Sequence, residues 1–310
     1  MAEVTHERPI PLTTPQRKAV TLGKRGAGAH AWPAIRKFIV TKPLGAAGGA
    51  IVLLMVLTAI FADVLAPHDP YTINQRIQFT APSLNHWFGT DEFGRDLFTR
   101  IVYGARVALL IGLTAAFGGA TAGAILGVVS AYLGGKVDLY LQRLIDVMLA
   151  FPLLILALTI VTVLGRSIPH VVLAIAIPII PRTARIVRSN ALSIKQNMYV
   201  EAARAVGSSH PWVILRHIIP NVMAPYLIML TAQFGNAILV EASLSFLGLG
   251  TAEPTPSWGL MLSGSALSYA ERAPWVAVFP GIAISLAVFG FNLFGDSLRD
   301  ALDPKLRHRT

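Results

Sequence analysis

Glu201-Ala202-Ala203-Arg204-Ala205-Val206-Gly207-Ser208-Ser209-His210-Pro211-Trp212, with Arg216-His217-Ile218-Ile219-Pro220-Asn221 just beyond, is a polar island in an apolar chain. Residues 193–206 combine good helix formers with one apolar side. Gly207 stands where a helix would close in a left-handed residue. Ser208 or Ser209 suits the N-cap of a second helix with Pro211 in its first turn. Pro220 is expected to end that helix before the next apolar run begins. Two helices this short are marginal alone. The pattern therefore predicts a helix–glycine turn–helix lying along a membrane face and needing a partner surface.

On either side the sequence turns apolar. Of 310 residues, 54% are hydrophobic and 14% charged, against about 25% charged in an average soluble domain. That balance excludes a soluble enzyme and a disordered chain. The formal charge of +10 does not indicate nucleic acid, because the 26 Lys and Arg are spread thinly through apolar sequence instead of gathered on a polar face. Six apolar runs qualify as spans: about 44–66, 105–133, 147–164, 168–186, 222–244 and 275–294. The first would reach about 34 Å as a helix, enough for a hydrocarbon core of about 30 Å. Residues 67–104 are too polar to span. The third run is interrupted by Pro152, and Pro178 and Pro181 lie inside the fourth. Gly119, Gly123 and Gly127 form two successive GxxxG steps, read as close helix packing within the chain in preference to a subunit seam. The expected architecture is an all-α polytopic membrane protein.

Six spans place both ends on one side. With the N-terminus inside, inner segments carry 20 of the 26 basic residues and outer segments 6. The positive-inside rule then orients the chain N-in and C-in. Residues 1–43 read as a basic, mostly disordered cytoplasmic tail, 44–306 as the transmembrane domain with 189–220 as its inner segment, and 307–310 as a C-terminal tail.

The opening stretch resembles the EAA motif of bacterial ABC-importer permeases, at the intervals Glu201-Ala202-Ala203, Gly207 and Pro220. Further matches point within that group to the dipeptide/oligopeptide/nickel permease family, C-type subunit. They are Phe88-Gly89-Thr90-Asp91-Glu92-Phe93-Gly94-Arg95-Asp96 with Arg100 and Gly104-Ala105-Arg106; the 241–250 stretch with Pro256-Ser257-Trp258-Gly259; and 294–304. The resemblance implies a type I ABC importer transmembrane domain in the bacterial inner (plasma) membrane. It implies four kinds of partner: a homologous B-type permease, two cytoplasmic ABC ATPase subunits, an extracytoplasmic substrate-binding protein and membrane lipid. It implies no nucleic acid. Glu201, Ala202, Ala203, Gly207, Ser208, Ser209 and Pro220 would form the coupling segment that docks on an ATPase. The implied cargo is di- or oligopeptides or related small solutes, glutathione and nickel chelates among them.

Other residues are read from their chemistry. Gly89, Asp91, Gly94, Arg95 and Asp96 suit tight turns with Asx-type hydrogen bonds, Arg95 pairing with Asp91 or Asp96. The alternatives are an outer structural turn and a docking edge for a binding protein. Gln233 and Asn236, three apart, are expected to share a face on the fifth span, lining the path or bonding between helices. Glu241 falls near the outer interface, a candidate gate or a wetted carboxylate. Asp296 and Asp300 are expected to pair with Arg299 or with 182–188.

Several chemistries are absent. No G-x-x-x-x-G-K-[ST] loop occurs, so this chain is expected to bind no cofactor of its own, with ATP and Mg on the partner ATPases. There is no H-E-x-x-H, no cysteine and no serine partnered by histidine, so neither a metal nor a catalytic residue is expected. A polytopic membrane enzyme would need converging catalytic groups within the spans. A channel or ATP-independent carrier would conduct solute alone.

Overall fold

The computed structural model describes residues 36, 39–263, 268–269 and 271–302. Of the tail expected at 1–43, only residue 36 and residues 39–43 are described, and 39–41 are helical; the tail at 307–310 lies outside the described residues. The described chain is helical throughout apart from connections and one isolated bridge, Thr90–Asp96. In order the helices are α1 (Pro43–Ile60), α2 (Ala62–Leu65), α3 (Leu97–Leu133), α4 (Gly135–Ala150), α5 (Leu153–Leu164) and α6 (Ile168–Lys195). They continue with α7 (Met198–Ala205), α8 (His210–Val213), α9 (Ile219–Phe246), α10 (Trp258–Leu262) and α11 (Trp275–Leu302).

Five helical stretches are long and apolar enough to cross a membrane, and α4 with α5 makes a sixth only if that bent pair is one crossing. Side-chain contacts decide this. Gly119, Gly123 and Gly127 of α3 lie against the carbonyls of Ala176, Ile180 and Ala184 of α6. Both series rise together, so α3 and α6 are parallel. A chain leaving α3 at one end must return to the other before α6 begins. The α4–α5 pair makes that return, and counted as one span it brings the described chain to six.

Two ends are thereby defined. The coupling end carries the last turn of α3, the start of α4, the end of α6 and residues 198–218. Arg188 of α6 donates to Asp138 of α4 at 2.7 and 2.5 Å there. Lys195 caps the C-terminus of α3 by donating to the carbonyls of Ala131 (3.1 Å) and Tyr132 (2.8 Å). The opposite, signature end carries the polar 67–96 loop, the start of α3, the end of α9, α10 and the start of α11. Here Arg106 of α3 donates to Asp63 and to the carbonyls of Ala59 and Ile60, holding the end of α1.

Four expectations are corrected. The second span begins at Leu97, not 105, because the Asp96 side chain caps it from Thr99 N–H at 2.8 Å and Arg100 and Arg106 find partners. The third span is not one helix over 147–164: α4 and α5 meet at 92°. Pro152 forces the residue before it out of helical geometry, and Phe151 is extended. Pro220 does not end the second coupling helix. Residues 210–246 run on continuously through a π-helical turn at Ile214–Ile218, closed by Ile219 N–H to the Ile214 carbonyl. One extra residue in that turn re-registers the backbone where Pro220 has no N–H to give. Finally, Asp300 pairs with Lys42 at 2.9 Å, tying the end of α11 to the start of α1, while Arg185 is taken by Asp146 and Arg188 by Asp138.

Candidate coupling surface and translocation face

At the coupling end, α7 closes as the sequence requires. Gly207 has φ +84°, Ser208 N–H reaches the Ala203 carbonyl at 3.1 Å and Gly207 N–H the Arg204 carbonyl at 3.0 Å. Nothing crowds the position a Gly207 Cβ would take, so the glycine serves backbone conformation alone. Ser209 occupies the N-cap of α8 with Pro211 in the first turn, yet no serine side chain makes a capping bond. The inward face is apolar: Val200, Val213 and Ile218 pack on Val128, Ala131 and Val187. The outward face shows Glu201, Ala202, Val206, Ser209, Trp212 and Leu215, with Ala203 and Ser208 half-buried and Pro220 exposed. Val206 is 82% exposed, high for an apolar residue on a fixed turn. Glu201, Arg204, Ala205, Ser208 and His210 border a shallow, open depression of about 480 Å³.

This hairpin is fastened to the second span. Tyr132 hydroxyl and His210 Nδ1 lie 2.9 Å apart, and Lys195 and Arg204 both sit over the Tyr132 ring. Nothing in the local sequence singles out Tyr132 or Lys195. Their partners lie 63 to 78 residues away, beyond any local pattern.

Between the lower halves of α6, α9 and α11 lies a cavity of about 520 Å³, with Asn190, Asn292, Asp296 and Arg299 among its lining and Met229 and Ala232 on α9. Asn236 is exposed one turn beyond Ala232 on the same face. Gln233 is not with it. It is buried at 3% exposure, its Oε1 without a hydrogen-bond partner. The expected shared face is split because three residues rotate the helix by about 300°, which here separates solvent from packing. Glu241 is neither wetted nor on that face. It is 1% exposed and accepts from Ser245 at 2.7 Å and Ser257 at 2.9 Å, fastening α9 to the segment that enters α10.

At the signature end all five turn residues are buried, and Arg95 pairs with Asp91, not with Asp96. Asp91 Oδ1 accepts from Phe93 N–H and Arg95 N–H, both at 2.9 Å, and Asp91 Oδ2 from Arg95 Nε at 2.6 Å. Arg95 also donates to Glu253 at 2.8 Å. Burial works against its charge, but the Glu253 hydrogen bond and the Asp91 carboxylate hold the guanidinium above its ordinary pKa. Gly94 (φ +69°) lies where a Cβ would strike the Asn74 carbonyl at 1.9 Å. Arg100, 1% exposed, donates to the carbonyls of Pro70 and Pro254. The Arg95–Glu253 and Arg100–Pro254 contacts escaped the sequence because they join segments more than 150 residues apart.

Comparisons with known proteins cover almost the whole chain. Residues 119–308 match the family described as binding-protein-dependent transport system inner membrane component. Residues 34–82 match the N-terminal TM domain of oligopeptide transport permease C. The chain is 42% identical to the dipeptide transport system permease protein DppC of Alkalihalophilus pseudofirmus, over 97% of this chain and 99% of that one. It is 45% identical to the glutathione transport system permease protein GsiD of Escherichia coli, over 83% of this chain and 84% of that one. In fold it is similar to a chain of the MetNI methionine ABC transporter in an inward-facing conformation. There the TM-score is 0.55 and the identity 16%, covering 66% of this chain and 96% of that one.

Proposed function

We infer the function of this chain from its family: it belongs to the binding-protein-dependent transport system inner membrane components and is a permease subunit of an ABC importer. It is a multi-pass membrane protein, and ATP hydrolysis belongs to a separate subunit. Beyond that premise, our reading is that it forms half of a pathway for di- or oligopeptides or related small solutes such as glutathione. The names of its relatives support this cargo class. A homologous permease would supply the other half, two cytoplasmic ATPases the energy, and an extracytoplasmic binding protein the solute. The chain itself would hold neither ATP nor Mg.

The observation that carries the mechanism is the coupling-end hairpin: an apolar underside seated on α3 and α6, and an outward face presenting Glu201, Ala202, Val206 and Trp212. Docked on an ATPase, it would transmit motion through the Tyr132–His210 contact into α3 and through the unbroken 210–246 helix into α9. Alternating access follows: closure of the ATPases on ATP turns the cavity outward, and hydrolysis with product release returns it inward. The cavity beside Asn190, Asn292, Asp296 and Arg299, continued by Asn236, is the surface we assign to the path. Its mixed carboxylate, guanidinium and amide groups suit a zwitterionic solute with peptide bonds. Gln233 and Glu241 are assigned to packing.

Orientation follows the same reading, with the coupling end cytoplasmic, both termini inside and the signature end outside, in a bacterial inner membrane. Among the described residues, Lys136, Arg188, Lys195, Arg204 and Arg216 lie at the coupling end, in accord with it. The decisive experiment is Gly207→Val in the reconstituted importer. ATP-driven peptide uptake is lost while the binding protein keeps its affinity for solute. Unchanged uptake would sink the coupling assignment.

A further inference from the structure

The structure assigns to the signature end a site for one divalent transition-metal ion of the zinc class, held by His68, His86 and Asp96. The site goes beyond the transport reading and does not depend on it. The three residues come from separate segments: the 67–70 loop, the 83–89 turn and the residue that caps α3. His86 Nδ1 lies 2.9 Å and His68 Nδ1 3.7 Å from Asp96 Oδ1. The ligand atoms of all three residues lie within 4.8 Å of one another. Ligands at about 2.0–2.2 Å from a four- to six-coordinate ion are separated by about 2.9–3.5 Å. The observed spacing brackets that interval, and His68, whose side chain is 39% exposed, has room to close the remainder.

The surroundings are those of a built site. The Asp96 side chain is 2% exposed and is oriented from behind, Oδ2 accepting Thr99 N–H at 2.8 Å while Oδ1 faces the imidazoles. Such backing fixes the orientation of a carboxylate that would bind the ion. The His86 backbone is locked on both sides, its carbonyl accepting Ser83 N–H at 2.8 Å and Gly89 N–H at 2.9 Å. The neighbouring Asp69 is already committed to Tyr71 N–H at 2.6 Å. The two imidazoles are stacked, ring centroids 4.8 Å apart and 27° from parallel. A cation that uses both ring lone pairs satisfies all three groups together. Two imidazoles and one carboxylate select zinc-class ions over magnesium or calcium, which prefer oxygen, and leave one or more coordination positions open to water. Bound there, the ion would clip the 67–96 loop to the first turn of α3.

The test uses the purified importer complex, stripped with chelator and titrated with Co²⁺ and then Zn²⁺. The wild-type complex is expected to show the visible absorption of a nitrogen- and oxygen-ligated Co²⁺, one equivalent of which Zn²⁺ displaces. His68→Ala and His86→Ala lose that equivalent. Asp96→Asn keeps an N-cap residue, so its metal-free unfolding midpoint stays close to wild type. Its metal affinity falls at least about tenfold, the loss seen even for an outer-shell partner. Zn²⁺ raises the unfolding midpoint of wild type and not of His68→Ala, whose exposed side chain can be removed without disturbing the fold. Equal Co²⁺ uptake by wild type and His68→Ala, or no binding by wild type, overturns the site.

Discussion

The buried Asp91–Arg95 pair shows how much a few short polar residues do in this chain. Asp91 turns the backbone through two N–H bonds and balances two buried guanidiniums, Arg95 directly and Arg100 at 3.7 Å. Removing one partner of such a pair costs about 3–5 kcal/mol, because the other charge stays buried. Asp91→Asn is therefore expected to lower the unfolding midpoint of the detergent-solubilised complex sharply. Glu253→Gln, at a side chain that is itself 46% exposed while Arg95 keeps Asp91, should cost under about 1 kcal/mol. Gly207 gives a second contrast. A non-glycine residue in the left-handed region costs about 1–2 kcal/mol, and asparagine bears it best. With no atom near the missing Cβ, Gly207→Asn should retain most ATP-driven uptake and Gly207→Val should lose it. Equal uptake in the two would show that the backbone conformation is not what matters.

Among elements, the seam between α3 and α6 is the most exacting. A Cβ at Gly123 would stand 2.5 Å from the Ile180 carbonyl, and equivalents at Gly119 and Gly127 would be as close to Ala176 and Ala184. Carbonyl backbone cannot move aside as a side chain can. Gly123→Leu is expected to abolish accumulation of the folded complex, read by membrane immunoblot and size-exclusion profile. Gly118→Leu, one residue before the seam and facing open space, is expected to be tolerated. The GxxxG steps were legible as a packing face. What no local pattern contained was the partner: a helix 57 residues on, running parallel because the bent α4–α5 pair returns the chain. The break of that pair was half legible, since Pro152 marks its place but not its 92° angle. Pro220 misled for the opposite reason. Proline in isolation ends a helix, but a π turn just before it kept 210–246 continuous.

At the scale of the molecule, charge decides direction and geometry decides sides. Because the chain has no cysteine, single cysteines report topology without background. In the chain expressed without its ATPases, Val206→Cys, 82% exposed, should react with an impermeant maleimide only from the cytoplasmic side, and Leu84→Cys, 95% exposed, only from the outer side. Reversed labelling would invert the orientation proposed for the importer. The chain alone, reconstituted in liposomes, should pass no peptide. Flux without partner subunits would favour a channel or an autonomous carrier over a permease half-site.

The sequence by itself determined the helical membrane class, the number of traverses, the excess of basic residues on one side, and the place and turn of the coupling hairpin. These rest on periodicity, composition and backbone preference, which act over a few residues and are written locally. Only the tertiary structure decided that Gln233 and Asn236 part ways and that Glu241 is sealed between α9 and the α10 segment. It alone joined Tyr132 to His210, Arg95 to Glu253, and His68 and His86 to Asp96. Burial and pairing are set by which distant helix arrives at a given face. That depends on the packing of the whole bundle, which no single stretch encodes.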